Sequence, residues 1–326
     1  MTVKGSYRPF IQKLAQLSLA ILLLPSLLAL GEAQFWLLEL AAHFRLQAVL
    51  AAIVLALIFG PLKAWRSLVV ALCLITLNGW FVGHAHMTSQ PLAEPQADAQ
   101  TLRVLQFNMN LFHPDPDGLA TSLLETDADL IVLQELSPDA ATRISAALAD
   151  DYQHQLTLPQ TNAFGMGVFS RFEITELQRL SATSLDAVSV RLSINTARHG
   201  DISLAAIHPP PPITRQLAAL RNEEIGLAAD WLAGRDGPKL LMGDLNLTPY
   251  SIWFRELVRQ SGLQPVQKLL PFSNVTWPDR MIHWLFSIPI DHVMISEDLE
   301  FVSWRAEYGH GSDHAMIVAD LQLATP

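Results

Sequence analysis

Three apolar stretches, residues 14–30, 46–62 and 67–82, precede residue 85 and constrain this chain more than any other feature. Each lies near the short end of the roughly 17–25 residues a membrane-spanning helix needs. Half of the 326 residues are hydrophobic and the mean hydropathy is +0.26, too apolar for an ordinary soluble enzyme of this size. Nearly all of the excess sits in residues 14–82, while residues 101–326 read as a normal globular sequence long enough to bury one full core. A cleaved signal peptide would account for the first stretch and leave two unexplained. Residues 1–87 are therefore expected to form a membrane region of about three transmembrane helices. Pro25 is expected to kink the first, which membrane helices tolerate.

Basic residues in short flanks set orientation. Lys4, Arg8 and Lys13 precede the first stretch, and Lys63 and Arg66 lie between the second and third. Both clusters read as cytoplasmic. The connection over residues 31–45, with Glu32, Glu39 and Arg45, reads as external. Three crossings then place the C-terminal part on the extracytoplasmic or periplasmic side of the inner or plasma membrane. A re-entrant hairpin at residues 63–66 would change the count and put that part in the cytoplasm. Residues 88–100, TSQPLAEPQADAQ, have the two prolines and polar character of a linker.

Charge divides along the same boundary: residues 1–100 hold six Lys/Arg and four Asp/Glu, residues 101–326 hold 15 and 27. So acidic a domain lacks the usual electrostatic source of nonspecific nucleic-acid affinity. The single cysteine, Cys73, lies in an apolar stretch, so no intramolecular disulfide is possible.

Beyond the linker, short β-type runs stop at chemically capable residues: LRVLQFN (102–108), DLIVLQE (129–135), GVFS (167–170), VSVRLSI (188–194), ISLAAIH (202–208), KLLMGDLN (239–246) and IDHVMIS (290–296). Amphipathic helical stretches at 117–126, 138–149, 214–233 and 250–261 alternate with them. This alternation predicts an α/β fold whose ligand groups gather at strand ends. Asn108 alone would pass as a turn residue, Glu135 as a helix cap, and Asp244 with Asn246 as an Asx turn. Several carboxylates ending apolar strands are another matter, because each must be paired, protonated or bound to a cation.

Taken in order, FNMN with Asn108, LQE with Glu135, the strand-ending His208, GDLN with Asp244 and Asn246, IDH with Asp291, and GSDH with Asp313 and His314 resemble the endonuclease/exonuclease/phosphatase superfamily over residues 101–323. GDLN together with a C-terminal SDH is specific; LQE or a lone histidine would be weak. The resemblance implies a four-layer αββα sandwich of two packed mixed β-sheets, here over residues 101–326, and a phosphoester hydrolase requiring Mg²⁺ or Mn²⁺. Glu135 is implied as principal metal ligand, a hard oxygen suited to such ions, with Asn108 and Asp313 at the metal or beside it. Asp244 matches the residue that orients or deprotonates the attacking water, and Asn246 a donor to phosphate. Asp291 matches the partner that fixes the His314 imidazole, and His208 a second histidine that meets developing charge or protonates the leaving oxygen. Asn108, Asn246 and His208 are also the implied phosphate contacts.

Two positions depart from the pattern: Asn110 stands where an acidic residue is common, and His292 follows Asp291 where aromatic residues or arginine are frequent. His113, His283 and His310 are read as inessential. The four prolines after His208 predict a stiff rim, and Phe272, Trp277, Trp284 and Phe286 an aromatic wall shared with core packing. Three classes of function remain open: a hydrolase acting on a lipid headgroup or small phosphoester, a membrane-tethered endonuclease or exonuclease, and a catalytically silent binding module. The membrane, through the N-terminal helices, is the other partner, and no protein partner is implied.

Overall fold

The computed structural model describes residues 7–96, 101–180, 189–196, 200–268, 270–278 and 285–324. Lys4, Asp98, Gln100, His283 and Trp284 lie outside them. The chain divides into two compact units, one from the described part of Met1–Met87 with Pro249–Ile252, the other from Thr88–Thr248 and Trp253–Pro326.

The first unit contains α1 (Arg8–Leu28), α2 (Trp36–Ala42), α3 (Arg45–Leu62) and α4 (Trp65–Met87). Three helices, Arg8–Gly31, Arg45–Leu62 and Trp65–Met87, are long and apolar enough to cross a membrane by length and composition. The third is longer than its apolar stretch, and helix α1 runs on through Pro25. The short α2, unforeseen in the sequence, occupies the connection between the first two. Ala15, Leu19, Ala52, Leu55, Phe59, Ala71 and Leu74 form the inner cluster, in which small residues let helices approach closely. Asn78, buried in α4, donates to Ser26 Oγ at 3.1 Å and to Leu74 O at 3.1 Å, so the polar residue in the third stretch is satisfied. Lys63, at φ 56°, closes α3 with a left-handed turn.

The second unit holds strands β1 (Leu102–Asn108), β2 (Leu130–Gln134), β3 (His154–Leu158), β4 (Met166–Ser170), β5 (Glu173–Leu180), β6 (Ser189–Thr196), β7 (Gly200–Ala206), β8 (Lys239–Asp244), β9 (Gln264–Pro265), β10 (Asp291–Ile295), β11 (Leu299–Glu307) and β12 (Met316–Leu323). Its helices are α5 (Pro116–Glu125), α6 (Pro138–Leu148), α7 (Arg215–Ala233) and α8 (Ile252–Ser261). Asp115, Ser137 and Thr214 cap α5, α6 and α7 by accepting from a backbone N–H of the first turn.

Two six-stranded sheets form, ordered β11-β12-β1-β2-β4-β3 and β5-β6-β7-β8-β10-β9. Both are mixed in the same way: the central pair, β1–β2 or β7–β8, is parallel, and every other pairing is antiparallel.

Side-chain alternation builds the layers. Val104, Leu130, Val132, Leu204, Ala206, Leu240 and Met242 share one core between the sheets. Their neighbours Leu105, Ile131 and Leu133 pack outward with residues of α5 and α6, and Ala205 and Leu241 with residues of α7 and α8. The result is the four-layer αββα sandwich that the resemblance implies. Burial on both faces is also why these strands read as unbroken apolar runs.

Residues 90–96, read as linker, are held to this unit. Gln90 N–H donates to Pro265 O at 3.1 Å and Ala93 N–H to Phe301 O at 2.9 Å, and Gln322 Nε2 donates to Glu94 O at 3.2 Å.

Candidate active site

The same alternation that fills the inter-sheet core delivers polar groups at its end. Counting by twos from Val104, Val132, Met242 and Val293, the inward positions become Gln106 and Asn108, Gln134, Asp244, and Asp291. The apolar layer thus passes into a buried polar one, in which Asn108, Asp244 and Asp291 are each at most 3% exposed. His208 lies two residues past the end of β7 and is likewise buried.

Asn108 links two carboxylates, its Nδ2 donating to Glu135 Oε1 at 3.0 Å and to Asp244 Oδ2 at 3.1 Å. Glu135 Oε2 accepts from Leu111 N–H at 2.9 Å. His208 Nε2 stands 3.7 Å from Glu135 Oε1, and its Nδ1 is 3.2 Å from Asp244 O. Asn246 N–H donates to Asp244 Oδ1 at 2.9 Å, and Asn246 Nδ2 to Pro209 O at 3.1 Å. His314 Nδ1 meets Asp291 Oδ2 at 2.9 Å while its Nε2 lies 3.8 Å from Asp244 Oδ2. Asp313 accepts from Asn110 Nδ2 at 3.0 Å and from Trp277 Nε1 at 2.9 Å. All eight site residues singled out in the sequence therefore gather at one end of the sandwich.

Backbone strain concentrates here. Asn110, Glu135 and Asn246 adopt φ of 67°, 59° and 48°, three of the five non-glycine residues with positive φ among those described. Asparagine tolerates that region; glutamate seldom does. Its hydrogen bonds to Asn108 and Leu111 hold Glu135 there. Gly243 of GDLN has its own reason, since a Cβ at that position would lie 1.9 Å from Ile207 O.

Electrostatics polarise the two halves of the site. Burial alone would lower the His314 pKa, yet Asp291 and Asp244 raise it to about 10, so the imidazole is charged at neutral pH. Burial would raise Asp291, but the His314 charge and hydrogen bonds from His314, Thr276 and Gln106 bring it below the usual carboxylate range. Asp244 is raised, first by burial and then by the charge of Asp291. Against its own burial, Glu135 is lowered chiefly by His208, and Asp313 by Asn110 and Trp277. Against its burial, His208 is raised by Glu135 and Asp244.

Asp244, Asp291 and His314 are the one group among the described residues that offers three metal-type ligand atoms within 4.8 Å of one another. A charged His314 with Nδ1 on Asp291 is a proton donor, however, and a poor ligand. Glu135 fits a hard cation better. Its carboxylate stays ionised, its side chain is 19% exposed, and Oε2 accepts from Leu111 N–H and keeps a further lone pair.

Several roles in the site went unnoticed in the sequence. Gln106 donates to Asp291 Oδ1 at 3.1 Å; a glutamine in the apolar run LRVLQFN was the available signal. Trp277 Nε1 holds Asp313, and its ring centroid lies 6.3 Å from that of His314. Buried Arg221 of α7 donates to Asn246 O at 3.2 Å, a contact no local pattern announces. Asn110 acquires a role: where a carboxylate would repel Asp313, the amide donates to it. His113 and His310 meet through His113 Nε2 and His310 O at 2.6 Å, apart from the central groups.

His292 also finds a place. Its Nε2 bonds Leu247 O at 2.8 Å and its ring packs at a tilt against Phe254, 4.8 Å between centroids. Burial pushes its pKa down to about 4. A folded-state value below the unfolded one means the unfolded chain binds more protons between about pH 4 and 6.5, so stability falls as pH drops through that window. The loss is on the order of 3 kcal/mol when complete. Thermal midpoints of the full chain in detergent, compared with His292→Phe, are expected to show that this part of the acid dependence disappears in the variant; an unchanged slope would refute the assignment.

The sequence matches the model of the Endonuclease/Exonuclease/phosphatase family over residues 105–314. No curated protein matches this chain. Among solved structures, an endonuclease/exonuclease/phosphatase from Beutenbergia cavernae DSM 12333 is 20% identical, with a TM-score of 0.53 over 69% of this chain and 72% of that one. D. rerio TDP2 complexed with single strand DNA product is 13% identical, with a TM-score of 0.57 over 68% and 99%. An endonuclease/exonuclease/phosphatase from Bacteroides vulgatus is 15% identical, with a TM-score of 0.56 over 69% and 100%. At these identities the structures share the fold, and the family model spans well over half of the residues. The chain belongs to the endonuclease/exonuclease/phosphatase family.

Proposed function

We propose that this protein is a membrane-anchored, divalent-metal-dependent phosphoester hydrolase, a phosphodiesterase or phosphatase that works by in-line attack of an activated water. The observation that carries the reading is the buried Asp291–His314 pair set against Asp244. It puts a fixed imidazolium beside a carboxylate whose raised pKa suits it to accept a proton. Glu135 would hold Mg²⁺ or Mn²⁺, with Asn108 orienting it and Asp313 beside it. Such an ion supplies a Lewis acid for a phosphoryl oxygen.

The chain's own groups do the rest. Asp244 orients the water and takes its proton as the water oxygen bonds to phosphorus. His314, with Nδ1 occupied by Asp291, presents Nε2–H to the charge that develops on the phosphoryl oxygens. Asn246 uses one amide hydrogen on Pro209 O and has a second for phosphate. His208 meets the same charge or gives the departing oxygen its proton. Arg221 and Trp277 keep Asn246 and Asp313 in register.

For the substrate we favour a lipid headgroup or small phosphoester over nucleic acid. D. rerio TDP2, bound to single-strand DNA in its own structure, lends the nuclease reading its support. Against it stand the 27 Asp/Glu and 15 Lys/Arg of residues 101–326. The full chain in detergent with Mg²⁺ is expected to hydrolyse a bis-aryl phosphate and phospholipid faster than plasmid DNA. Failure to cleave any phosphoester would end this reading; preference for DNA would move it to the nuclease.

We further place the catalytic unit on the extracytoplasmic side of the inner or plasma membrane, from three spans with Arg8, Lys13, Lys63 and Arg66 on the inner side. A reporter active only when exported is expected to work when fused after Gln100 and to be silent after Lys63. The opposite pattern would favour cytosolic nucleotides or nucleic acids as substrates.

A further inference from the structure

We propose that the rim of the active site seats on the lipid bilayer, so that the site receives its phosphoester from a membrane lipid. The lipid substrate deepens the hydrolase reading and rests on it; the seating of the rim does not. Ten large apolar side chains are exposed among the described residues from 88 onward, and seven of them lie in loops that carry site residues. Phe112, 85% exposed, follows Asn110; Ile213, 69% exposed, ends the proline run after His208. Leu270 and Phe272, and then Leu285 and Phe286, flank the segment holding Thr276 and Trp277. Tyr308 opens the loop of Asp313 and His314.

All of these loops but that of Ile213 are fastened to one another. His113 Nε2 meets His310 O at 2.6 Å, joining the loops of Phe112 and Tyr308. Tyr308 Oη donates to Val275 O at 2.8 Å, joining that loop to the segment of Phe272. Ser287 Oγ donates to Pro278 O at 2.9 Å, tying Phe286 to Trp277. Exposed apolar groups scattered over a surface need no explanation, but groups gathered on linked loops around a site mark an interaction surface.

Charge selects the occupant. The described segments that carry site residues or adjoin the strands that do are 109–115, 135–137, 207–214, 245–248, 266–268, 270–278, 285–290 and 308–315. Of the 15 Lys/Arg in residues 101–326, only Lys268 falls in them. Lys268 Nζ lies over the Trp304 ring at 5.3 Å, and Arg280 is outside the described residues. A polyanion that needs cations along its backbone finds almost none here. A bilayer interface instead takes exposed aromatic and aliphatic side chains without requiring cations. The same chain carries three candidate spans, and only Thr88 and Ser89 separate the end of α4 from Gln90, which already bonds Pro265 O. A bilayer is the apolar phase to which this unit is covalently tied.

The test uses the full chain in a Cys73→Ser background, reconstituted in nanodiscs of mixed phosphatidylethanolamine and phosphatidylglycerol. Nitroxides are attached at Phe112→Cys, Ile213→Cys and Phe286→Cys, with Leu177→Cys on β5 as a control. Collisions with oxygen over those with a water-soluble nickel complex should be at least about fivefold more favoured at the three rim sites than at residue 177. Equal, aqueous values at all four would overturn the proposal, as would aqueous labels that become immobilised when a single-stranded oligonucleotide is added. The readout is independent of turnover. Aqueous labels on an active phosphoesterase refute the rim and leave the hydrolase; buried labels on a protein that cleaves no phosphoester refute the hydrolase and leave the rim.

Discussion

Asp244→Asn and His314→Ala are each expected to lower turnover of a generic phosphodiester by at least about 10²-fold, the scale for removing a general base or a preorganised donor to developing charge. The two losses have different origins. Asparagine retains the shape of Asp244 and can still accept from Asn246 N–H, but it cannot accept the proton of water. Alanine at 314 removes the Nε2–H and also strands Asp291, whose remaining partners are Gln106 and Thr276. His314→Ala should therefore also destabilise the fold, because a buried carboxylate loses its counter-charge. Asp291→Asn in the His314→Ala background is expected to recover stability without recovering turnover. Steady-state kinetics with thermal unfolding on the same samples separates these effects. Activity within a few-fold of the parent in either single variant, in a folded protein, would remove that residue from the mechanism.

Chelation is expected to abolish activity, and added Mg²⁺ or Mn²⁺ to restore it. Glu135→Gln should raise the metal concentration for half-maximal rate by at least about tenfold, since an amide replaces a partly exposed, ionised carboxylate suited to a hard cation. Asp291→Asn should leave that concentration nearly unchanged while lowering turnover, because Asp291 is committed to His314. The two variants thus distinguish a cation at Glu135 from one among Asp244, Asp291 and His314. Full activity after exhaustive chelation would refute metal dependence altogether.

Much of this architecture was legible because the same pattern encodes core and site. Runs such as LIVLQE and LLMGDLN announce strands buried on both faces, and the polar residues that end those strands, Gln134 and Asp244, fall on the inward parity, with Glu135 one step beyond. Seven strands and four helices of the catalytic unit were visible within a few residues. Strands β3, β5, β9, β11 and β12 were not. β3, β5, β9 and β11 lie at sheet edges, where one-sided pairing and partial exposure dilute the apolar signal. β12 is central, but its run is broken by Asp320, which pairs with Arg103 of β1 at 2.7 Å across the register. A charge satisfied by a residue more than 200 positions away looks like a loop to any local reading. Arg221, and the role of Trp277 as a donor, were missed for a similar reason, because their partners, Asn246 and Asp313, lie 25 and 36 positions away.

The placement of β12 reaches beyond the finished fold. It follows every other described strand in sequence, yet it lies between β11 and β1 in the first sheet. Until residues 316–323 have been made, one side of β1 has no neighbour, and the loop with Asp313 and His314 has no strand to anchor it. Synthesis proceeds from the other end, so a growing polypeptide already possesses Asn108, Glu135 and Asp244 while the imidazole opposite them is still absent. A nascent chain cut short before His314 therefore lacks that imidazole, with its ladder open. Quality-control machinery would meet an unpaired edge strand in place of a closed ladder.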